Sequence, residues 1–179
     1  MTGLMRVFWS LLIHMGFILT ATVLVYFLGG SENALLEAVR TQYADDPATL
    51  EEIRSAAVWK IIDWIVLSLA VSWILSSIWL LLAESQRPRS YQEGGSRRGL
   101  WVIFLVISLA AMTFIGWVVI WGNHVQGDLA SAVLTASMLI LGVSVLLVYW
   151  VATAVSVKTV MRPSVPLSNL LPGISKEKA

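Results

Sequence analysis

Ionisable groups inside long apolar runs are costly, so the few such groups in this 179-residue chain are where any chemistry would begin. His14 is the deepest. It lies in the uncharged run Val7 to Leu28, on the order of 10 Å along a helix from Arg6. An imidazole there could respond to protons. It could equally hydrogen-bond Ser10, one turn back, or a hydroxyl on a neighbouring helix. With no carboxylate beside it in the sequence, the structural role is the stronger expectation.

Lys60 and Asp63 form an i, i+3 pair at the edge of a second apolar run, Trp64 to Ala83. A carboxylate there could coordinate a cation or engage a partner. That run already holds the roughly 20 residues needed to cross a bilayer, which leaves Asp63 at headgroup level. His124 stands beside Asn123, with Asp128 four positions on. One histidine and one aspartate make no metal site. There is no cysteine, which removes disulfides, thiolate metal sites and thiol redox chemistry. A transmembrane di-haem cytochrome would need four axial histidines, and a hydrolase or transferase would need several polar groups at one depth. Neither set is present, so no catalytic residue, cofactor or metal ligand is expected.

Small residues recur more regularly. Ser68, Ser72 and Ser76 repeat every four positions, as do Gly16 and Thr20, Ser131 and Thr135, and Ala152 and Ser156. At helical spacing each set marks a face where backbones approach closely and hydroxyls bond across an interface. Either another helix of this chain or another subunit could meet such a face.

The elements that carry these residues follow from composition. Hydrophobic residues make up 58% and charged residues 13%, too few charges to cover a soluble surface. Four spans are expected, at about 7–28, 59–83, 100–121 and 129–157. They are apolar on every face, so they read as helices in an all-α polytopic membrane domain, residues 1–161. Six residues, Gly122 to Gly127, join the last two spans as an antiparallel hairpin, and Asp128 caps the fourth. The fourth span is longer than a bilayer requires. It therefore tilts or projects, leaving Val155, Val157 and Val160 in need of a partner.

Basic residues orient the chain. Arg6, Arg87, Arg89, Arg97, Arg98, Lys158, Arg162, Lys176 and Lys178 fall on one side, and Arg40, Arg54 and Lys60 on the other. Both termini are thus expected in the cytoplasm, the chain residing in a bacterial inner membrane. Trp9, Trp79 and Trp101 near one boundary, with Tyr26, Trp59, Trp64, Trp117 and Trp121 near the other, read as interfacial belts. Trp73 and Trp150 sit deeper and are expected to pack.

The outer loop, 31–58, reads as two amphipathic helices. Ser31 caps the first, which carries Leu35, Leu36, Val39 and Tyr43. Asp46-Pro47 starts the second, which could run into span two without a break, kinked at most near Ala56 or Ala57. The loop's acidic residues could meet a basic partner, but a solvated face over an apolar side is the stronger expectation. The basic inner loop, 84–99, suits anionic lipid headgroups and is too sparse for nucleic acid. The proline-rich tail, 162–179, is expected to be flexible, with Leu170 and Leu171 as a docking point.

Without a recognisable chemical site, the expected role is a non-catalytic accessory or scaffold subunit of a larger membrane complex. Lipids and other subunits, or further copies of the chain, would be its partners. The competing expectation is a small oligomeric proton- or ion-coupled transporter using His14 or Asp63.

Overall fold

The computed structural model describes residues 3–30, 47–85, 97–121, 128–157 and 164–168. Side chains 28–30, 47–54, 56, 57, 84, 120, 121 and 128–137 fall outside that description. The expected first outer helix, most of the basic inner loop, the 122–127 turn with His124, and Leu170 and Leu171 also lie outside the described residues.

Among the described residues there are four long helices: α1 (Gly3–Gly30), α2 (Pro47–Ser85), α3 (Arg98–Trp121) and α4 (Asp128–Ser156). Each contains a stretch long and apolar enough to cross a membrane: Gly3–Phe27, Val58–Ala83, Arg98–Val119 and Met138–Ser156. The protein is an all-helical integral membrane protein. Proline at the first position of α2 costs no hydrogen bond, since a helix leaves its first amides unpaired anyway. From there α2 runs unbroken for 39 residues, about 58 Å. The second outer helix and span two are one rod.

Neighbouring helices alternate in direction. Early α1 meets late α2 at Ser10 and Ser76, early α2 meets late α3 at Trp64 and Met112, and early α3 meets late α4 at Trp101 and Thr153. The helices are not equivalent. α2 and α4 touch each other, while α1 and α3 each touch both and flank them on opposite sides. In the most apolar stretch of each span, 44% of α2 and 39% of α4 is buried, against 11% of α1 and 17% of α3. The central pair is shielded by protein. The flanking pair presents Phe8, Met15, Leu19, Ile103, Val106 and Phe114 outward.

The core has two layers. One, at the Trp64 end, gathers Trp64, Ile65, Leu69, Met112, Leu141, Val145 and Val148, with Ile13, Ile18, Ala21 and Val25 of α1 packed against them. The other, at the end where Arg6, Arg97 and Arg98 lie (the basic end), gathers Trp79, Leu80, Ala83, Trp101, Tyr149, Ala154, Val157 and Val165. α1 contributes to the first layer only.

Three tryptophans expected in the interfacial belts are core residues instead. Trp64, Trp79 and Trp101 are buried, whereas Trp9, Trp59 and Trp117 are exposed. For Trp64 and Trp101 the indole N–H finds a partner on another helix. Trp64 donates to the Met112 carbonyl at 2.8 Å, and Trp101 donates to the Thr153 hydroxyl at 2.9 Å. With its polar edge satisfied, a large ring is stable in the interior. Val157, expected to need an outside partner, is buried within this chain, while Val155 remains exposed.

Gly116 makes the Trp64 bond possible. A Cβ built on it would lie 2.2 Å from the Trp64 ring, so only glycine lets the indole reach past the backbone to the Met112 carbonyl. We expect Gly116→Ala to force the ring off its site, at a cost of about 1–3 kcal/mol. Gly16→Ala, whose added carbon meets nothing within 4 Å, should not destabilise and should gain about 0.5–1 kcal/mol from the lower backbone freedom of alanine. Thermal unfolding in detergent compares them. Equal effects would remove the close approach as a constraint.

Candidate functional site: the polar seam of helix α1

Where α1 leaves the apolar core it is joined to the bundle by polar bonds. His14 is 1% exposed and faces α2. Its Nδ1 lies 2.8 Å from the Ser10 carbonyl oxygen, and its Nε2 lies 3.3 Å from the Ser72 hydroxyl. A carbonyl can only accept, so Nδ1 carries the proton and donates. In the neutral ring this leaves Nε2 to accept from Ser72. The two structural roles open to His14, a bond one turn back and a bond to another helix, are therefore made at once.

One turn toward the basic end, the Ser10 and Ser76 hydroxyls meet at 3.1 Å. Ser76 gives its proton to the Trp73 carbonyl at 2.9 Å, so the Ser10 hydroxyl is the donor between them. One turn further, the Arg6 guanidinium donates from Nη1 to the Ser156 carbonyl at 2.8 Å. That carbonyl ends α4, where the last backbone oxygens lack helical partners and carry partial negative charge. Arg6 and Ser156 are both buried. Arg6, His14 and Ser10 thus bind α1 to both central helices along a single stripe, four residues apart each time.

The other residues singled out by sequence fall elsewhere. Ser68 is buried one turn from Ser72, and its hydroxyl has no hydrogen-bond partner. Ser68, Ser72 and Ser76 all lie on the buried side of α2, yet a four-residue step rotates about 40° around a helix. Such a stripe turns gradually from one neighbour toward the next. Gly16 and Thr20 do not face another helix among the described residues. Both are exposed, and the Thr20 hydroxyl donates back to the Gly16 carbonyl at 2.8 Å. Ser131 and Thr135 lie in α4, and their side chains are outside the described residues. Asp63 is exposed and Lys60 half-buried on α2, at the opposite end of the bundle from the Arg6 contact. His14 and Asp63 are not brought together.

Among the described residues, no three histidine or carboxylate side chains gather where a metal ion could be held. Arg6 is the residue that sequence reasoning passed over, having counted it only as an orienting charge. Its position near a helix start is visible in the sequence. The carbonyl it reaches is 150 residues away. The chain matches no protein-family model, no curated protein and no solved structure in the comparisons made.

The seam can be tested by a double-mutant cycle. Ser10→Ala and Ser76→Ala should each weaken resistance to unfolding in mixed micelles. Together they should do so by less than the sum, with a coupling of about 0.6 kcal/mol, the average for hydrogen bonds between membrane helices. Strict additivity would mean that the two hydroxyls do not bond.

Proposed function

We propose that this protein is a non-catalytic accessory or scaffold subunit of a larger membrane assembly, such as a secretion or conjugation apparatus, a respiratory complex or a transporter. His14 carries the reading. The deepest ionisable side chain is closed off from solvent, with both ring nitrogens engaged by Ser10 and Ser72. An imidazole held this way ties two helices together. A group that loads and unloads an ion would instead line a passage.

In this reading the basic end faces the cytoplasm of a bacterial inner membrane, both termini with it, as the distribution of lysine and arginine favours. Arg87, Arg89, Arg97 and Arg98 lie against anionic headgroups, each contributing about 1 kcal/mol. The apolar outer faces of α1 and α3 meet lipid or neighbouring subunits. Extraction in mild detergent followed by mass spectrometry is the test. Heterologous membrane proteins retained at fixed stoichiometry are the expected result, and a clean homo-oligomer would overturn the reading. Reporter fusions within 84–99 should read as cytoplasmic, and an outward-facing Arg97 would reverse the orientation.

One observation favours the alternative of a small oligomeric proton- or ion-coupled transporter. Ser10, His14, Ser72 and Ser76 gather an ionisable ring and three hydroxyls in one buried patch of the α1–α2 interface, although His14 meets Ser10 at its backbone carbonyl and not at its hydroxyl. The readings separate in liposomes containing the purified protein and a trapped pH dye. A subunit without transport activity gives the same proton leak before and after His14→Ala or Asp63→Asn. A transporter loses its flux in at least one of them.

A further inference from the structure

The tail does not leave the bundle as a free extension. Residues 164–168 fold back onto the basic end, against the expectation of a flexible chain. Val165 is 1% exposed and joins the core layer of Trp79, Trp101 and Tyr149, which come from α2, α3 and α4. The Trp150 indole donates to the Pro166 carbonyl. The Ser168 amide donates to the Val165 carbonyl at 3.3 Å and closes the turn.

The turn is held at a cost. Leu167 sits at φ 58°, the one non-glycine residue with positive φ among those described. A leucine in the left-handed region crowds its Cβ against the following carbonyl. Leu167 is also 65% exposed, so burial of its own side chain does not offset that strain. The anchors on either side impose the conformation. Tyr149, in the same layer as Val165, has a buried hydroxyl without a hydrogen-bond partner.

We propose that residues 164–168 are a releasable strap over the basic end of the bundle. It is held shut by the Val165 side chain and the Trp150–Pro166 bond, and biased toward opening by the strain at Leu167. Opening uncovers an apolar seat between the ends of α2, α3 and α4, lined by Trp79, Trp101 and Tyr149. The inference is independent of the subunit reading, since it concerns how this end of the chain closes on itself.

The chain has no cysteine, so a single introduced thiol reports on its own position. The full-length protein is placed in lipid nanodiscs, where both faces are accessible, and reacted with a water-soluble maleimide. Val165→Cys should react at least tenfold more slowly than Leu167→Cys, yet reach completion while circular dichroism shows the helices intact. In the Val165→Cys background, Trp150→Phe keeps an aromatic ring but removes the donor. It should speed labelling roughly fivefold, the factor a single hydrogen bond carries. Leu167→Asn relieves the left-handed strain, because asparagine tolerates that region, and should slow labelling roughly threefold. This second variant changes an exposed residue and carries the test if Trp150→Phe does not fold. Equal rates at 165 and 167 would mean that the strap never docks. A rate at 165 that ignores the second substitution, or labelling that appears only on unfolding, would make the segment a fixed part of the core. Either result overturns the proposal.

Discussion

Apolar side chains gain little by leaving lipid for the interior of a membrane protein, so the hydrophobic effect does not hold these helices to one another. Close fit and hydrogen bonds across the interfaces must do it. The long-range bonds meet this need. Trp64 to Met112 joins α2 to α3, Trp101 to Thr153 joins α3 to α4, and Ser10, His14 and Arg6 join α1 to the central pair. The two tryptophan bonds are embedded in packed layers, where the ring contributes dispersion contacts and its N–H contributes direction.

α1 is joined differently at its two ends. Beside the Trp64 layer it packs through Ile13, Ile18, Ala21 and Val25. Toward the basic end its recorded ties are polar, and the apolar layer there is completed by α2, α3, α4 and Val165 of the tail. Hydrogen bonds between membrane helices are individually weak, because the separated helices find other partners. Shape-matched packing is lost all at once when a helix moves. The 164–168 turn, held by the Val165 side chain and the Trp150–Pro166 bond, is attached more lightly than the helices it covers. Segments of low local stability are where a small membrane protein can change its contacts without unfolding.

The serine stripe of α2 shows how far spacing alone can be carried. Its period was legible, and marked one close-packing face of the helix, but spacing left open whether another helix of this chain or another subunit meets that face. That Ser72 serves His14, Ser76 serves Ser10 and Ser68 has no partner follows from the rotation of α2 against α1, which spacing does not encode. Gly16 and Thr20 have the same spacing, yet their face points outward. The tryptophans teach a similar lesson. A belt residue and a core residue look alike in sequence. What separates Trp59 from Trp64 is whether a carbonyl on another helix lies within reach of the indole nitrogen.

By itself the sequence determined four helical spans, their approximate limits and the scarcity of ionisable groups within them, and left open whether the helix from Pro47 runs unbroken into the second span. These follow from length, charge and the need to satisfy every backbone amide within its own segment in lipid. The tertiary structure decided what depends on two distant residues meeting. It set α2 and α4 at the centre, put Gly116 under Trp64, paired Arg6 with the end of α4, and returned Val165 to the core from a tail whose prolines, Pro163, Pro166 and Pro172, suggested a loose chain. Burial of His14 in a seam is of the same kind. Its type and depth were written in the chain, but whether it faces lipid, water or a serine depends on the angle at which two helices cross.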